Sequence, residues 1–280
     1  MDIKLLSKNN FEFKHSLGQN FITDTNLLKA IVSDAGVAGD DNVLEIGAGA
    51  GTLTSEICRA TKGKVVSVEI DKSLKPILEN NVKFENLTFQ FKDILKVDPD
   101  DIKSWFQNKP FKVVANLPYY ISSPIIFYLL ENDFNLTSIT VMLQLEVAQR
   151  LSAKKNTKDY GALTILLDLL GKVTLTRKVP KTLFTPQPKV DSAVVRIDII
   201  KNKFDVPFLE VASLVKSSFA MRRKTLANNL LKAYNLSREQ IENVLTKSNI
   251  DVKLRAENLD TKDYVVLFKN LKSEFPFCFE

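Results

Sequence analysis

Two cysteines, Cys58 and Cys278, and a single histidine, His15, are all the cysteine and histidine in 280 residues. That scarcity excludes a disulfide framework and any ordinary zinc cluster, so no structural metal is expected. No apolar run reaches the roughly 18 residues of a membrane span, and Met1-Asp2-Ile3-Lys4 lacks the basic start and apolar core of a secretory leader. A soluble, cytoplasmic protein is the expectation. Internal repeats and low-complexity tracts are missing too, which argues against a solenoid or a fibre.

What is present suffices for a sizeable core, since 45% of the residues are hydrophobic. The length exceeds the ~100–200 residues of one domain, so a large domain followed by a smaller one is the natural organisation. The net charge of +6 is unevenly spread. Residues 1–145 carry 15 Lys and Arg against 18 Asp and Glu, residues 146–203 carry 12 against 5, and residues 204–280 carry 12 against 10. Basic charge gathered from the middle onward suits contact with a polyanion, although a plain solvated face has the same composition.

Periodicity organises the chain. Thr23 or Asp24 can cap a helix bearing Leu27, Leu28, Ile31 and Val32, stopped by Gly36. Strands are expected at Asn42 to Ile46, Lys64 to Glu69, Leu87 to Phe91, Phe111 to Asn116, Ser138 to Leu143, Lys172 to Val179 and Ser192 to Ile200. Between them fall helices at Thr52 to Ala60, Ser73 to Asn81, Asp100 to Phe106, Ser123 to Glu131, from Leu145, and at Ala162 to Leu170. Such alternation predicts an α/β domain over residues 1–203, with a Rossmann-like, doubly wound, mostly parallel seven-stranded sheet. The prolines of Phe184-Thr185-Pro186-Gln187-Pro188-Lys189-Val190 bar helix and make that linker extended. Past Lys203 the pattern is helical throughout, at 207–220, 223–233, 238–248 and 261–272, so residues 204–280 are expected to form a small all-helical domain.

The chemistry lies at the strand ends. Gly47, Gly49 and Gly51 follow a strand and open a helix, where glycine allows a tight turn and close approach of the backbone to a ligand. A dinucleotide fingerprint would need a glycine where Thr52 stands, which disfavours NAD. Glu69 ends the next strand at the position of an acid that accepts ribose hydroxyls, and Asp93 ends the third, where it can take an adenine amino group. Each acid could equally be a solvated carboxylate. At the fourth end stands Asn116-Leu117-Pro118-Tyr119-Tyr120. Pro118 favours extended backbone before it, so Asn116 and Leu117 project from the strand's carboxyl end, an amide oxygen, a carbonyl and an aromatic face suited to a planar base with an amino group. The four ends together have the layout of an S-adenosylmethionine-dependent methyltransferase.

Glu45-Ile46-Gly47-Ala48-Gly49-Ala50-Gly51, Glu69-Ile70-Asp71, Asp93-Ile94-Leu95 and Asn116-Leu117-Pro118-Tyr119-Tyr120 resemble the successive motifs of the ribosomal RNA adenine dimethyltransferases. Lys14 to Ile22, Phe184 to Arg196, Arg222-Arg223-Lys224-Thr225-Leu226 and Leu254 to Leu259 narrow the resemblance to the KsgA type, over essentially the whole chain. Ala48 departs from the proline of many members. The resemblance implies a class I methyltransferase fold, with Asn20, Ile22, Gly47, Gly49, Glu69, Asp93 and Asn116 around S-adenosylmethionine. It implies catalysis by Asn116, Leu117, Pro118 and Tyr119. Asn116 Oδ1 and the Leu117 carbonyl would accept the two hydrogens of an adenine amino group, and Tyr119 would stack on the flipped base. No strong general base is then needed, and His15 is expected to be a surface or packing residue. Arg222, Arg223 and Lys224 would contact RNA phosphates. The implied reaction dimethylates two adjacent adenines near the 3′ end of small-subunit ribosomal RNA, carried out by a monomer on the immature subunit. An Erm-type methylase of large-subunit RNA is the enzymatic alternative. An assembly factor whose catalysis is secondary is the alternative from another class.

Overall fold

The computed structural model describes residue 14 and residues 18–22, 24–200 and 203–279. His15 and Thr23, both weighed above, lie outside the described residues. In chain order the regular elements are β1 (Phe21–Ile22), α1 (Thr25–Asp34), β2 (Asn42–Ile46), α2 (Thr52–Ala60), β3 (Val65–Val68), α3 (Lys75–Asn81), β4 (Leu87–Gln90), α4 (Pro99–Trp105) and β5 (Phe111–Asn116). They continue with α5 (Ser122–Glu131), β6 (Leu136–Gln144), α6 (Leu145–Leu151), α7 (Ala162–Leu170), β7 (Gly171–Val179), β8 (Phe184–Thr185) and β9 (Ser192–Ile199). Four helices follow, α8 (Phe208–Ser218), α9 (Leu226–Ala233), α10 (Arg238–Lys247) and α11 (Thr261–Glu274). Among the described residues no helix is long and apolar enough to cross a membrane.

Seven strands form one sheet in the order β4-β3-β2-β5-β6-β9-β7. The pairings β2–β3, β3–β4, β2–β5 and β5–β6 are parallel, and β6–β9 is antiparallel. From β2 the chain winds outward through β3 to β4, then returns to the other side of β2 for β5 and β6, so the order reverses between β2 and β5. Carboxyl ends of strands at such a reversal diverge into a crevice, and ligands bind there. The expected fold class is therefore the one observed.

Burial explains why these segments are strands. All of Val65–Val68 and four of the five residues of β2 are buried, the continuous pattern of a sheet covered on both faces. Helix α1 starts where Asp24 accepts from Leu27 N at 2.8 Å, and buries Leu27, Leu28, Ile31 and Val32. Those side chains share a core with Val43, Val114, Met142 and Val194 from the sheet and Ile57 from α2. The expected extended linker is in part a strand: Phe184 and Thr185 pair antiparallel with Ile22 and Phe21, and the Thr185-Pro186 peptide is cis.

Two compact units divide the chain, Met1–Ala148 with Thr174–Ile199, and Gln149–Val173 with Ile200–Glu280. The second unit thus includes α7 as well as α8 to α11, whereas the sequence pattern puts residues 149–173 before a boundary at 204. Ile165, Leu166, Leu167 and Leu169 of α7 are buried. Tyr160 Oη donates to the Leu259 carbonyl at 3.0 Å, and the loop before α7 is pinned by Lys155 to Asp260 at 2.8 Å.

Candidate active site at the strand ends

The ends of β2, β3, β4 and β5 open into one cavity, lined there by Ile46 and Gly47, Val68 and Glu69, Asp93, and Asn116. Glycine turn, acids and the Asn116 loop form most of its wall, and the rest comes from Gly18 to Phe21. Gly49 stands at φ +55°, and a Cβ there would lie 2.8 Å from Cε1 of Phe21, so with the ring where it is the turn has no room for a side chain.

Glu69 is 6% exposed and anchored by both oxygens. Oε2 accepts from Gly49 N and Oε1 from Asp71 N, each at 2.8 Å. Burial raises its pKa, with the Asp71 charge adding to the rise, and the main-chain N–H groups of Asp71, Gly49 and Ile70 offset part of it. Each oxygen keeps one lone-pair direction for a further donor. Asp93 lies past β4, half-buried, with Oδ1 accepting from Leu95 N at 3.1 Å. Just behind the glycine turn, Glu45 is fully buried; its Oε2 accepts from Thr54 Oγ1 at 2.6 Å and Ser67 Oγ at 2.5 Å, while Oε1 has no partner among the described residues. Burial lifts its pKa to about 8, with the neighbouring Glu69 charge adding to the rise against those two hydroxyls.

Asn116 is held by one end of its amide. Nδ2 donates to the Asn20 carbonyl at 3.0 Å, which leaves Oδ1 as the group presented, with no protein donor among the described residues. Leu117 buries its side chain, 1% exposed, so its polar contribution is its main chain. Pro118 and Tyr119 complete this wall, and Pro118 O accepts from Ile121 N at 3.2 Å to close the turn. The Tyr119 hydroxyl shares a 2.6 Å hydrogen bond with Ser192 Oγ at the start of β9. Burial raises the Tyr119 pKa, so the hydroxyl stays protonated and the ring is fixed at its far end. Tyr120, by contrast, is 56% exposed.

Asn20, Gly47, Gly49, Glu69, Asp93, Asn116, Leu117, Pro118 and Tyr119 therefore meet around one cavity. Ile22 does not line it; its side chain is 2% exposed in the core, and Thr52 Oγ1 reaches its carbonyl at 3.5 Å. Arg222, Arg223 and Lys224 lie in the second unit, in the turn before α9 rather than within its first turn, because Thr225 caps the helix by accepting from Asn228 N at 3.3 Å. Arg222 already donates to the Lys158 carbonyl at 2.6 Å and faces Glu257 at 3.6 Å. Arg223 and Lys224 are exposed, and their side chains have no hydrogen-bond or ion-pair partner among the described residues, although Lys224 N donates to Met221 O at 3.0 Å. Several residues escaped the sequence reading: Gln19 and Asp71, which hydrogen-bond at 2.9 Å beside the cavity; Ser192; and buried Asn229, whose amide binds Ser218 O at 2.7 Å and Met221 O at 3.2 Å and so shapes the turn before the basic cluster. Gln19, Asp71 and Ser192 stand inside the motif segments Lys14 to Ile22, Glu69-Ile70-Asp71 and Phe184 to Arg196, whereas nothing in the sequence marks Asn229.

A doubly wound sheet with a glycine turn, two acids and Asn-Leu-Pro-Tyr at successive strand ends defines a class I methyltransferase. The chain belongs to the ribosomal RNA adenine dimethylase family, whose model matches residues 10–273. It is similar to the ribosomal RNA small subunit methyltransferase A of Clostridioides difficile (strain 630), 42% identical over 94% of this chain and 92% of that protein. The protein of the same description from Bacillus licheniformis is 44% identical over 96% and 94%. Among solved structures, a dimethyladenosine transferase from Plasmodium falciparum superposes with a TM-score of 0.76 at 27% identity, over 91% of this chain and 98% of that one. The 23S rRNA methyltransferase ErmE does so with 0.66 at 28%, over 90% and 100%. The activity is that of an rRNA adenine dimethyltransferase with S-adenosylmethionine as methyl donor.

Proposed function

We propose that the enzyme dimethylates the N6 amino groups of two adjacent adenines near the 3′ end of small-subunit ribosomal RNA, acting as a cytoplasmic monomer on the immature small subunit. The observation that carries the chemistry is the Asn116 amide, bound through Nδ2 to Asn20 O at 3.0 Å and open at Oδ1. An adenine amino nitrogen is a poor nucleophile because its lone pair is delocalised into the ring. With Asn116 Oδ1 and the Leu117 carbonyl accepting its two hydrogens, the nitrogen is drawn toward a tetrahedral geometry and its lone pair is aimed. This is catalysis by positioning and fixed dipoles, which needs no strong base. Tyr119, anchored by Ser192, would stack on the flipped base.

The cavity suits S-adenosylmethionine, which when bound supplies an electrophilic methyl group. Glu69 would accept the ribose hydroxyls with its remaining lone pairs, and Asp93 the adenine amino group. Gly47 and Gly49 would admit the ligand against the backbone. Asn20 would contribute beside Asn116, and Ile22 only through its main chain. Arg223 and Lys224, helped by Arg222, would meet RNA phosphates.

Small-subunit rather than large-subunit RNA is favoured by the relatives at 42% and 44% identity that carry the small-subunit description, against 28% for ErmE. The test is to offer labelled S-adenosylmethionine with undermethylated small subunits and, separately, large subunits. Label entering the small subunit as N6,N6-dimethyladenosine is expected; label entering only large-subunit RNA would replace this reading with the Erm type.

A further inference from the structure

Two walls of the cavity are joined by a chain of hydrogen bonds through Gln19. Glu69 Oε1 accepts from Asp71 N at 2.8 Å. The Asp71 carboxylate, 3% exposed, accepts Gln19 Nε2 on Oδ2 at 2.9 Å, and on Oδ1 it accepts Lys14 Nζ at 2.6 Å and Ser73 Oγ at 2.6 Å. Gln19 Oε1 in turn accepts from Lys14 N at 2.8 Å, so the Gln19 amide is used at both ends. One residue further on, the Asn20 carbonyl accepts Asn116 Nδ2 at 3.0 Å, while the Asn20 side chain is turned back onto Gly18 O at 3.1 Å.

An asparagine amide has a donor end and an acceptor end of nearly equal size, so nothing in its shape prevents a half-turn. A turned Asn116 would offer N–H to the donor N–H of an amino group. What opposes that turn is the placement of one carbonyl, and the side chain beside that carbonyl is clamped to a buried carboxylate. We propose that Gln19 is a positioning residue for methyl transfer: by gripping Asp71 it sets the Asn20 carbonyl where it locks the Asn116 amide with Oδ1 toward the cavity. The inference rests on the proposed reading of Asn116 as acceptor for the adenine amino group. Lys14 shares Asp71 from a more exposed position, 44% against 2% for the Asp71 side chain, and its contribution is the smaller.

The test is a cycle in which donor and acceptor change places. Gln19→Glu sets carboxylate against carboxylate; Asp71→Asn, whose oxygen is claimed by Lys14 Nζ, Ser73 Oγ and Ser73 N, sets N–H against N–H; and the double variant restores an N–H···O contact with its polarity reversed. Three quantities are read: the single-turnover rate with saturating S-adenosylmethionine and undermethylated small subunits, calorimetric affinity for S-adenosylhomocysteine, and the side-chain amide resonance of Asn116 in the RNA-free protein. Each single variant should slow turnover about tenfold, the loss expected when a reacting group's support is removed, with affinity changed by less than about threefold. The Asn116 resonance should shift in both and return in the double variant together with the rate. Gln19→Met, which keeps the volume without the donor, should reproduce the single loss. A double variant slowed by the product of the single losses overturns the proposal, as does slowed turnover with an unmoved Asn116 resonance. Asn116→Ala runs in the same assay. If it keeps the wild-type rate, the reading of Asn116 fails; if it is slow while the Gln19 variants are fast, only the present inference fails.

Discussion

Asn116 and Glu69 face the same cavity with different protein attachments, and the difference predicts how each fails. The Asn116 side chain makes one protein hydrogen bond among the described residues, to Asn20 O, so Asn116→Ala removes the acceptor and that one bond. Loss of a preorganised dipole at a reacting centre costs on the order of a hundredfold in turnover. Single-turnover rates should fall by that factor or more while calorimetric cofactor affinity stays within a few-fold. Glu69 also holds Gly49 N and Asp71 N, so Glu69→Ala should weaken cofactor binding by roughly 1.5–3 kcal/mol, the scale of charge-assisted hydrogen bonds, and lower the melting temperature besides. Wild-type affinity in the calorimeter would remove Glu69 from the site.

At the scale of elements, the loop after β5 is tied to β9 through Tyr119 and Ser192. Tyr119→Phe breaks the 2.6 Å contact to Ser192 but keeps the ring, and turnover should drop only a few-fold; Tyr119→Ala removes the stacking surface, worth about 1–3 kcal/mol per base, and should raise the KM for RNA far more. Equal losses in the two variants would place the value in the hydroxyl instead. The elements themselves were legible because strand and helix announce themselves locally: Thr52–Ala60 and Ala162–Leu170 are helices at the expected bounds, and Asn116 ends its strand as expected. Pairings across the fold were not. Nothing around Gln19 points to Asp71, 52 residues away, nor anything around Tyr119 to Ser192, 73 away. For Ile22 the resemblance names a residue and not an atom: once β8 pairs with it the core closes over its side chain, and only its main chain is left to face a ligand. Periodicity also identifies α7 as an apolar helix without saying which core it joins, so a boundary at 204 overlooks Gln149–Val173. Asn229→Ala should loosen the turn at Ser218–Met221, lowering stability by about 1–3 kcal/mol through the Ser218 carbonyl and Met221 N–H that lose their partner, while Met221 O keeps Lys224 N.

For the molecule as a whole, charge governs both stability and RNA affinity. Asp34, Asp41 and Asp71 titrate below their usual range because their basic and hydroxyl partners outweigh burial, so their stabilisation is present above about pH 4 and is lost on further acidification. Glu45 runs the other way: with its pKa raised from 4.5 to about 8, its contribution is complete below 4.5 and disappears as the pH rises through 8. The melting temperature should therefore carry a decline between about pH 4.5 and 8 from this group, and Glu45→Gln should flatten it; an equally steep decline in the variant would exclude Glu45 as its source. On the RNA side, Arg222 is engaged with Lys158 O and Glu257, leaving Arg223 and Lys224 as the open cations of the cluster. Converting all three to alanine should reduce the salt slope of RNA binding by about 1.4–1.8, two phosphate contacts rather than three. A full three-contact change would mean Arg222 releases its partners on binding. The whole proposal meets one measurement: primer extension on ribosomal RNA from cells deleted for this gene and complemented with the wild type or with Asn116→Ala, since a dimethylated adenine blocks the polymerase. The wild type should restore stops at two adjacent adenines near the 3′ end of small-subunit RNA, and Asn116→Ala should read through as the deletion does. Stops that persist in the deletion, return with Asn116→Ala, or fall in large-subunit RNA would contradict it.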